Sequence, residues 1–201
     1  MSNYYEPLDL NPDYWIGRYK EQGRDYVANR HMQNYDKQHE IISEIVAPHL
    51  GNYTFKKALD FGAGVGRFQD ILNNHAEEVW AVDLVPDALK DLNESWPNTT
   101  TTCDVSSIAS EQFDLVWTCV VLQHIGVPER FTEVCQHLCR VAKPGAKFIL
   151  IENAADYAPH VAKRTPEDYR YALELTLDHY DLLNIDKPES HWLIVGRKKS
   201  S

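Results

Sequence analysis

The chain is short of basic charge, of cysteine and of long apolar runs, and each shortage removes a class of function. Twenty Lys and Arg stand against 30 Asp and Glu, for a formal net charge of −10. A nucleic-acid protein draws much of its affinity from a basic stripe that neutralises phosphates. The only basic cluster here is Arg197-Lys198-Lys199, so no nucleic-acid partner is expected, and an uncharged or cationic small molecule or a peptide amine is the more natural ligand. No apolar stretch is long enough for a membrane span, and the opening Met-Ser-Asn-Tyr-Tyr-Glu-Pro lacks a basic start. Neither membrane nor secretory route is expected, and the chain reads as cytoplasmic. Four cysteines, at 103, 119, 135 and 139, fall on expected strands, strand ends and one helix, as suits reduced thiols. Cys135 and Cys139 share an apolar helical stripe with Phe131, Val134, Leu138 and Val141, and the histidines lack ligand spacing, so no metal is expected. Repeats and low-complexity stretches are absent. With 201 residues, 43% of them hydrophobic, the chain can bury one core. The expectation is a single domain over residues 1–201, with 1–40 as lid and substrate segment and 41–199 as core.

What the chain does have is concentrated in residues 58–68, Ala-Leu-Asp-Phe-Gly-Ala-Gly-Val-Gly-Arg-Phe. An apolar run that delivers an acid and then three alternating glycines predicts a strand, a tight turn and a helix start. Glycine at 62, 64 and 66 removes each β-carbon where a ligand must lie close to the main chain, and the helix start offers unpaired amides. Asp83 closes a second apolar run, Val79-Trp80-Ala81-Val82-Asp83, where a strand-end acid can accept both hydroxyls of a ribose. A nucleotide-like ligand fits both features. The spacing disfavours diphosphates. A dinucleotide fingerprint needs GxGxxG, but Arg67 or Gln69 stands at the last position, and a P-loop needs Gly-Lys-Ser/Thr, but Arg67-Phe68 follows Gly66. No serine stands in a nucleophile elbow.

Residues 59–67 resemble the first motif of the class I S-adenosylmethionine-dependent methyltransferases, and three later segments keep that family's order and spacing. Cys103-Asp104-Val105 resembles the third-strand motif, whose acid takes the adenine exocyclic amine. Phe113 to Ile125 resembles the fourth-strand motif at the reaction edge. Leu138 to Glu152, with Lys143-Pro144-Gly145, resembles the turn and fifth strand. The resemblance spans residues 58–152 and, through the closing strand, reaches about 197. It implies S-adenosyl-L-methionine as cofactor, with Asp60, Gly62, Ala63, Gly64 and Arg67 of the first motif around it. Asp83 and Leu84 follow the second strand, Asp104 and Val105 the third, and Thr118 and Cys119 end the fourth. The implied activity is methyl transfer to nitrogen or oxygen of a small polar molecule or a peptide chain terminus. A non-catalytic cofactor-binding partner or regulatory subunit with the same fold is the other class these residues allow.

Strands near 57–61, 79–83, 99–103, 113–119 and 146–152 alternate with helices near 66–74, 86–94 and 128–142, behind a leading helix over 37–50. This pattern predicts an α/β fold with a parallel sheet covered on both faces. Thr165-Pro166-Glu167-Asp168 predicts a helix start, with the helix running to about 178, a strand over 182–185 and a last strand over 191–196. By the resemblance, the final pair completes a Rossmann-like doubly wound sheet of seven strands, mostly parallel with an antiparallel last strand, behind an N-terminal helical lid.

The leading segment holds Tyr4, Tyr5, Tyr14, Trp15, Tyr19, Tyr26 and Tyr35. These rings either pin a lid to the sheet or, at Trp15, Arg18 and Tyr19, cover the cofactor, as Tyr-Trp and Arg-Tyr pairs do in the family the chain resembles. His124, after strand four, and Asn153, after strand five, sit where that family positions groups at the methyl. A neutral His124 could take a proton near neutral pH, or it could orient its loop. An Asn153 amide oxygen could hold an amine, and Glu152-Asn153 faintly resembles the Asp-Asn of protein N-terminal methyltransferases. Asp87, Asp91 and Glu94 read as the solvated face of a helix.

Overall fold

Two helices lead the chain, α1 (Pro12–Asn29) and α2 (Tyr35–Leu50), followed by β1 (Phe55–Phe61), α3 (Gln69–His75), β2 (Ala76–Val82), α4 (Pro86–Ser95) and β3 (Thr100–Thr102). β4 (Phe113–Cys119), α5 (Pro128–Val141), β5 (Ala142–Asn153), α6 (Pro166–Ala172), β6 (Leu175–Leu183) and β7 (His191–Lys198) complete it. This computed structural model describes residues 12–29, 35–52, 54–154, 161–185 and 188–200. Tyr4 and Tyr5, and the side chains of Tyr26 and Tyr35, lie outside what is described. Among the described residues no helix is long and apolar enough to cross a membrane.

The strands form one seven-stranded sheet in the order β3-β2-β1-β4-β5-β7-β6, in which β7 alone runs antiparallel to its neighbours. This is the Rossmann-like, doubly wound α/β arrangement. β1 connects onward to β2 on one side and pairs with β4 on the other, so the strand order reverses there and a crevice opens beyond the carboxyl ends.

Alternation along the strands supplies both faces of the core. In β5, Phe148 and Leu150 join one cluster with Phe131, Val134 and Leu138 of α5, while Ile149 and Ile151 join another with Ile42 and Val46 of α2 and Leu72 of α3. Covered on both sides, the strand reads as an unbroken apolar run, and each large apolar side chain so buried contributes about 1.5–3 kcal/mol. Cys135 and Cys139 are buried in the α5 cluster, as their helical stripe implies.

β2 begins at Ala76 rather than 79 and β5 at Ala142 rather than 146, and further boundaries differ from the sequence expectation for physical reasons. The glycine turn continues to Phe68, because Gly66 sits at φ +86, outside helical space, so α3 begins at Gln69 rather than at 66. The helix begun by the Thr165–Asp168 capping box ends at Ala172 instead of about 178, and Glu174 turns the chain at φ +50. β6 then runs over Leu175–Leu183 in place of a four-residue strand at 182–185. The longer strand pairs with β7 along its whole length, where the shorter one would have left a row of β7 N–H and C=O groups unpaired.

Candidate functional site

A cavity of about 770 Å³ opens over the carboxyl ends of the central strands, a size that suits a small ligand. The turn after β1 forms its floor, with φ values of +76, +54 and +86 at Gly62, Gly64 and Gly66. The three glycines are needed for different reasons. A β-carbon at Gly62 would lie 2.2 Å from Val121 Cγ2, and one at Gly66 would lie 2.9 Å from Gln69 Cγ and 3.0 Å from Leu92 Cγ. Only at Gly64 would it meet open space. The expectation that all three clear room for a ligand is corrected at Gly66, which does not line the cavity and makes room for the protein's own side chains, while Gly62 lines the cavity and also makes room for Val121. Gly64 presents bare main chain to the cavity, beside Ala63.

Asp83, at the end of β2, accepts the Gly64 N–H through Oδ2 at 2.8 Å and the Val85 N–H through Oδ1 at 2.9 Å. The Leu84 N–H donates to the same carboxylate, and as a carboxylate has about four acceptor sites, one stays open toward the cavity that Asp83 and Leu84 line. Burial raises the Asp83 pKa while those amide bonds oppose the rise. Asp60, beneath the turn, is pushed up to about 7 by burial, against the lowering effect of a Gln69 hydrogen bond. Gln69 Nε2 donates to Asp60 Oδ2 at 2.7 Å, and Gln69 Oε1 accepts the Thr99 hydroxyl at 3.0 Å, so the acid is locked beneath the glycines.

Past β3, Asp104 and Val105 line one end of the cavity. Asp104 Oδ1 accepts the Ser106 N–H at 2.8 Å, and the hydrogen bonds from Ser106 hold its carboxyl below the ordinary range. Toward the other end lie Cys119, His124 and Asn153, brought together by the ends of β4 and β5. Thr118 is not brought there: it is fully buried, and its hydroxyl donates to Glu152 Oε1 at 2.8 Å. The strand's alternation turns Thr118 into the sheet and leaves Cys119 at the rim, which corrects the placement of Thr118 at the cofactor.

The leading helix contributes Trp15, Arg18 and Tyr19 to the lining. Trp15 sets its ring edge-on to His124, with centroids 5.1 Å apart. Arg18 donates to the Tyr14 hydroxyl at 2.9 Å and carries its guanidinium 5.7 Å from the Trp15 ring. Tyr19 is buried, and its hydroxyl donates to Asp91 of α4. Asp91 is thus an anchor for α1 rather than part of a purely solvated face. Arg67 Nη2 donates to Gln38 Oε1 at 2.8 Å, and both residues line the cavity.

Sequence reasoning missed Gln38, Val121, Glu133, His137, Ile185 and His191 of the lining. They come from helix faces and loops whose approach is decided by tertiary packing, so no local motif marks them. Glu152 had a signal, an acid closing the run Ile149-Leu150-Ile151, since a buried charge requires partners. It finds them in Thr118 and in the N–H groups of Val121, Leu122 and Gln123. A second constellation carries no chemistry. His39 lies 3.0 Å from Asp70 and 3.4 Å from Ser43 Oγ, yet the Ser43 hydroxyl donates to the His39 carbonyl at 2.6 Å, so its proton is not directed at the ring. Among the described residues no group of three metal-ligating side chains occurs.

Comparison with known proteins agrees with this geometry. The methyltransferase domain family matches residues 59–150. An uncharacterized methyltransferase-like protein of Schizosaccharomyces pombe is 34% identical over 104 residues, which are 49% of this chain and 38% of that protein. The chain therefore matches well under half the length of that relative. The N-methyltransferase NodS from Bradyrhizobium japonicum, solved with S-adenosyl-L-homocysteine, superposes with a TM-score of 0.74 over 94% of this chain and 100% of that one, at 15% identity. The 1,6-didemethyltoxoflavin-N1-methyltransferase of Burkholderia thailandensis, with bound 1,6-didemethyltoxoflavin and S-adenosylhomocysteine, gives 0.73 over 94% and 87%, at 21% identity. Residues 59–150 thus match the methyltransferase domain family, and the seven-stranded sheet has the Rossmann-like fold of the solved methyltransferases on which it superposes.

Proposed function

We propose that the chain binds S-adenosyl-L-methionine and transfers its methyl group to nitrogen or oxygen of a small polar molecule, a peptide chain terminus being the alternative acceptor. The observation that carries this reading is a single cavity that runs from Asp83 and Asp104 to His124 and Asn153. The two solved relatives with bound S-adenosylhomocysteine support the cofactor, and 1,6-didemethyltoxoflavin in one of them supports a small acceptor.

The residues present fit the cofactor. Gly64 offers a cradle that a β-carbon would fill, and Asp83 keeps an open acceptor site for ribose hydroxyl hydrogen bonding beside its main-chain partners. Asp104 and Val105 would hold the adenine edge, and Arg67 and Gly62 to Gly64 the amino-acid end, under Trp15, Arg18 and Tyr19. Bound there, the cofactor supplies a methyl group already activated on a sulfonium. The chain then has to orient the acceptor, exclude water and remove a proton. Asn153, 4% exposed at the end of β5, is placed to orient a polar acceptor. His124 is placed to receive the proton, with Trp15 packed against its ring. In this reading residues 1–40 are the lid and substrate segment and residues 41–199 the core. In calorimetry, S-adenosylmethionine and S-adenosylhomocysteine should each bind in the micromolar range, about −8 kcal/mol, and NADH should not. Equal affinity for NADH, or no heat with either sulfur compound, overturns the reading.

A further inference from the structure

We infer that Glu152 and Arg164 are positioning residues that hold the turn after β4, and His124 with it, from opposite sides; their part in the reaction rests on the role proposed above for His124. Residues 120–125 leave β4 through Val120 at φ +61, a left-handed conformation that costs a β-branched residue energy. They then coil into one short 3₁₀ turn, Leu122–His124. A strained segment without a ladder of its own persists only when its surroundings hold it.

Glu152 supplies the hold on the amide side. Its fully buried carboxylate accepts the N–H groups of Val121 at 3.1 Å, Leu122 at 3.2 Å and Gln123 at 3.1 Å. Arg164 supplies it on the carbonyl side, donating to the C=O of Leu122 at 3.0 Å and to that of Ile125. The guanidinium is itself fixed, 3.7 Å over the Phe131 ring and against Tyr169, which is fully buried. The peptide groups of the turn thus present N–H to the Glu152 carboxyl group and C=O to the Arg164 guanidinium, whose contacts are charge-assisted hydrogen bonds. Two neighbouring ties keep the register: the Ala162 N–H donates to the Gln123 carbonyl at 2.7 Å, and the Asn153 N–H donates to Gln123 Oε1 at 2.6 Å.

Neither Glu152 nor Arg164 lines the cavity, so neither touches a ligand there. Their effect on the site passes through the turn. Because Arg164 and Ala162 lie just before α6, residues 161–165 and the turn bearing His124 are set together.

The test reads His124 directly, by NMR of the full chain labelled with ¹⁵N, in wild type and in Arg164→Met, Arg164→Lys and Glu152→Gln. In Arg164→Met the His124 ring signals should shift or broaden, and the nuclear Overhauser contact with Trp15 should fall by at least half. Arg164→Lys keeps the charge but loses the two-pronged geometry, so it should restore the contact in part. The His179 signals, from a ring stacked on His49 outside the cavity, should stay in place in every variant that remains folded by thermal unfolding. Glu152→Gln should move His124 as Arg164→Met does; if it fails to fold, the two Arg164 variants decide alone. An unchanged His124 signal and Trp15 contact in Arg164→Met overturns the inference. Titrating wild type with S-adenosylhomocysteine separates the two questions, since absence of binding removes the cofactor reading and leaves the hold on the turn standing.

Discussion

Asp83 joins the glycine turn to the cavity, because one carboxylate accepts a main-chain N–H on each oxygen and still faces the ligand space. Asp83→Ala should weaken S-adenosylhomocysteine binding by about 1.5–3 kcal/mol in calorimetry, the usual worth of hydrogen bonds to a charged group. Normal affinity in a folded variant would remove Asp83 from the site. His124 and Asn153 separate an enzyme from a non-catalytic partner of the same fold. His124→Ala and Asn153→Ala should keep S-adenosylhomocysteine affinity, while methyl transfer to an identified acceptor falls about a hundredfold for loss of a general base. Unchanged turnover in both variants would end the catalytic roles. Residue by residue, the part of the lining at the strand ends was legible in the sequence, because β1, β2, β3 and β4 all end at one edge and the residue closing each run is placed by topology. Thr118 shows where that logic fails: at a strand end one step in register separates the rim from the sheet interior, and no local signal says which residue is last.

At the scale of elements, α1 rests on α4 through the Tyr19 hydroxyl on Asp91 and a small apolar cluster of Trp15, Ile16, Val65, Val85 and Ala88. Tyr19→Phe keeps the ring and removes the hydrogen bond, which is worth about 1 kcal/mol. Amide hydrogen exchange over residues 13–20 should quicken by roughly fivefold, with exchange in β1 and β5 unchanged. Protection equal to wild type would mean that the apolar contacts alone seat the helix. Which elements exist was readable from periodicity, but the end of α6 was not. Leu173 and Leu175 are both fully buried, one closing a helix and the other opening a strand. The 3.6 and 2.0 periods coincide over so short a stretch, and only the demand of β7 for a partner decides between them.

Across the whole molecule, two buried acids make stability depend on pH in a direction opposite to ordinary acid unfolding. Burial raises Asp60 from 3.8 and Glu152 from 4.5, each to about 7. Between those ordinary values and pH 7 the folded chain holds more protons than the unfolded one, so this contribution is complete below about pH 4 and is lost as pH rises through 7. Urea unfolding from pH 5 to 7.5 should therefore show a loss of stability in wild type that is about 2–3 kcal/mol smaller in Glu152→Gln. Equal losses would mean that Glu152 stays ionised throughout. The partners that define Glu152 lie about 30 residues earlier in the chain, which is why strand order was legible and this centre was not. The fit of Val121 over Gly62 ties the two halves of the sheet together at the point where strand order reverses. An alanine β-carbon at 62 would also lie 2.9 Å from the Val121 Cβ, which no rotamer change can move. Mutational paths through this pair are therefore ordered: Gly62→Ala should destabilise by at least about 1–3 kcal/mol on its own. It should be rescued in part on a background already carrying Val121→Gly, the strain of a side chain at φ +76 remaining, an epistasis that a double-mutant cycle would register as a favourable coupling. Descendants of this chain can place a side chain at position 62 of the glycine turn only after, or together with, a reduction at position 121.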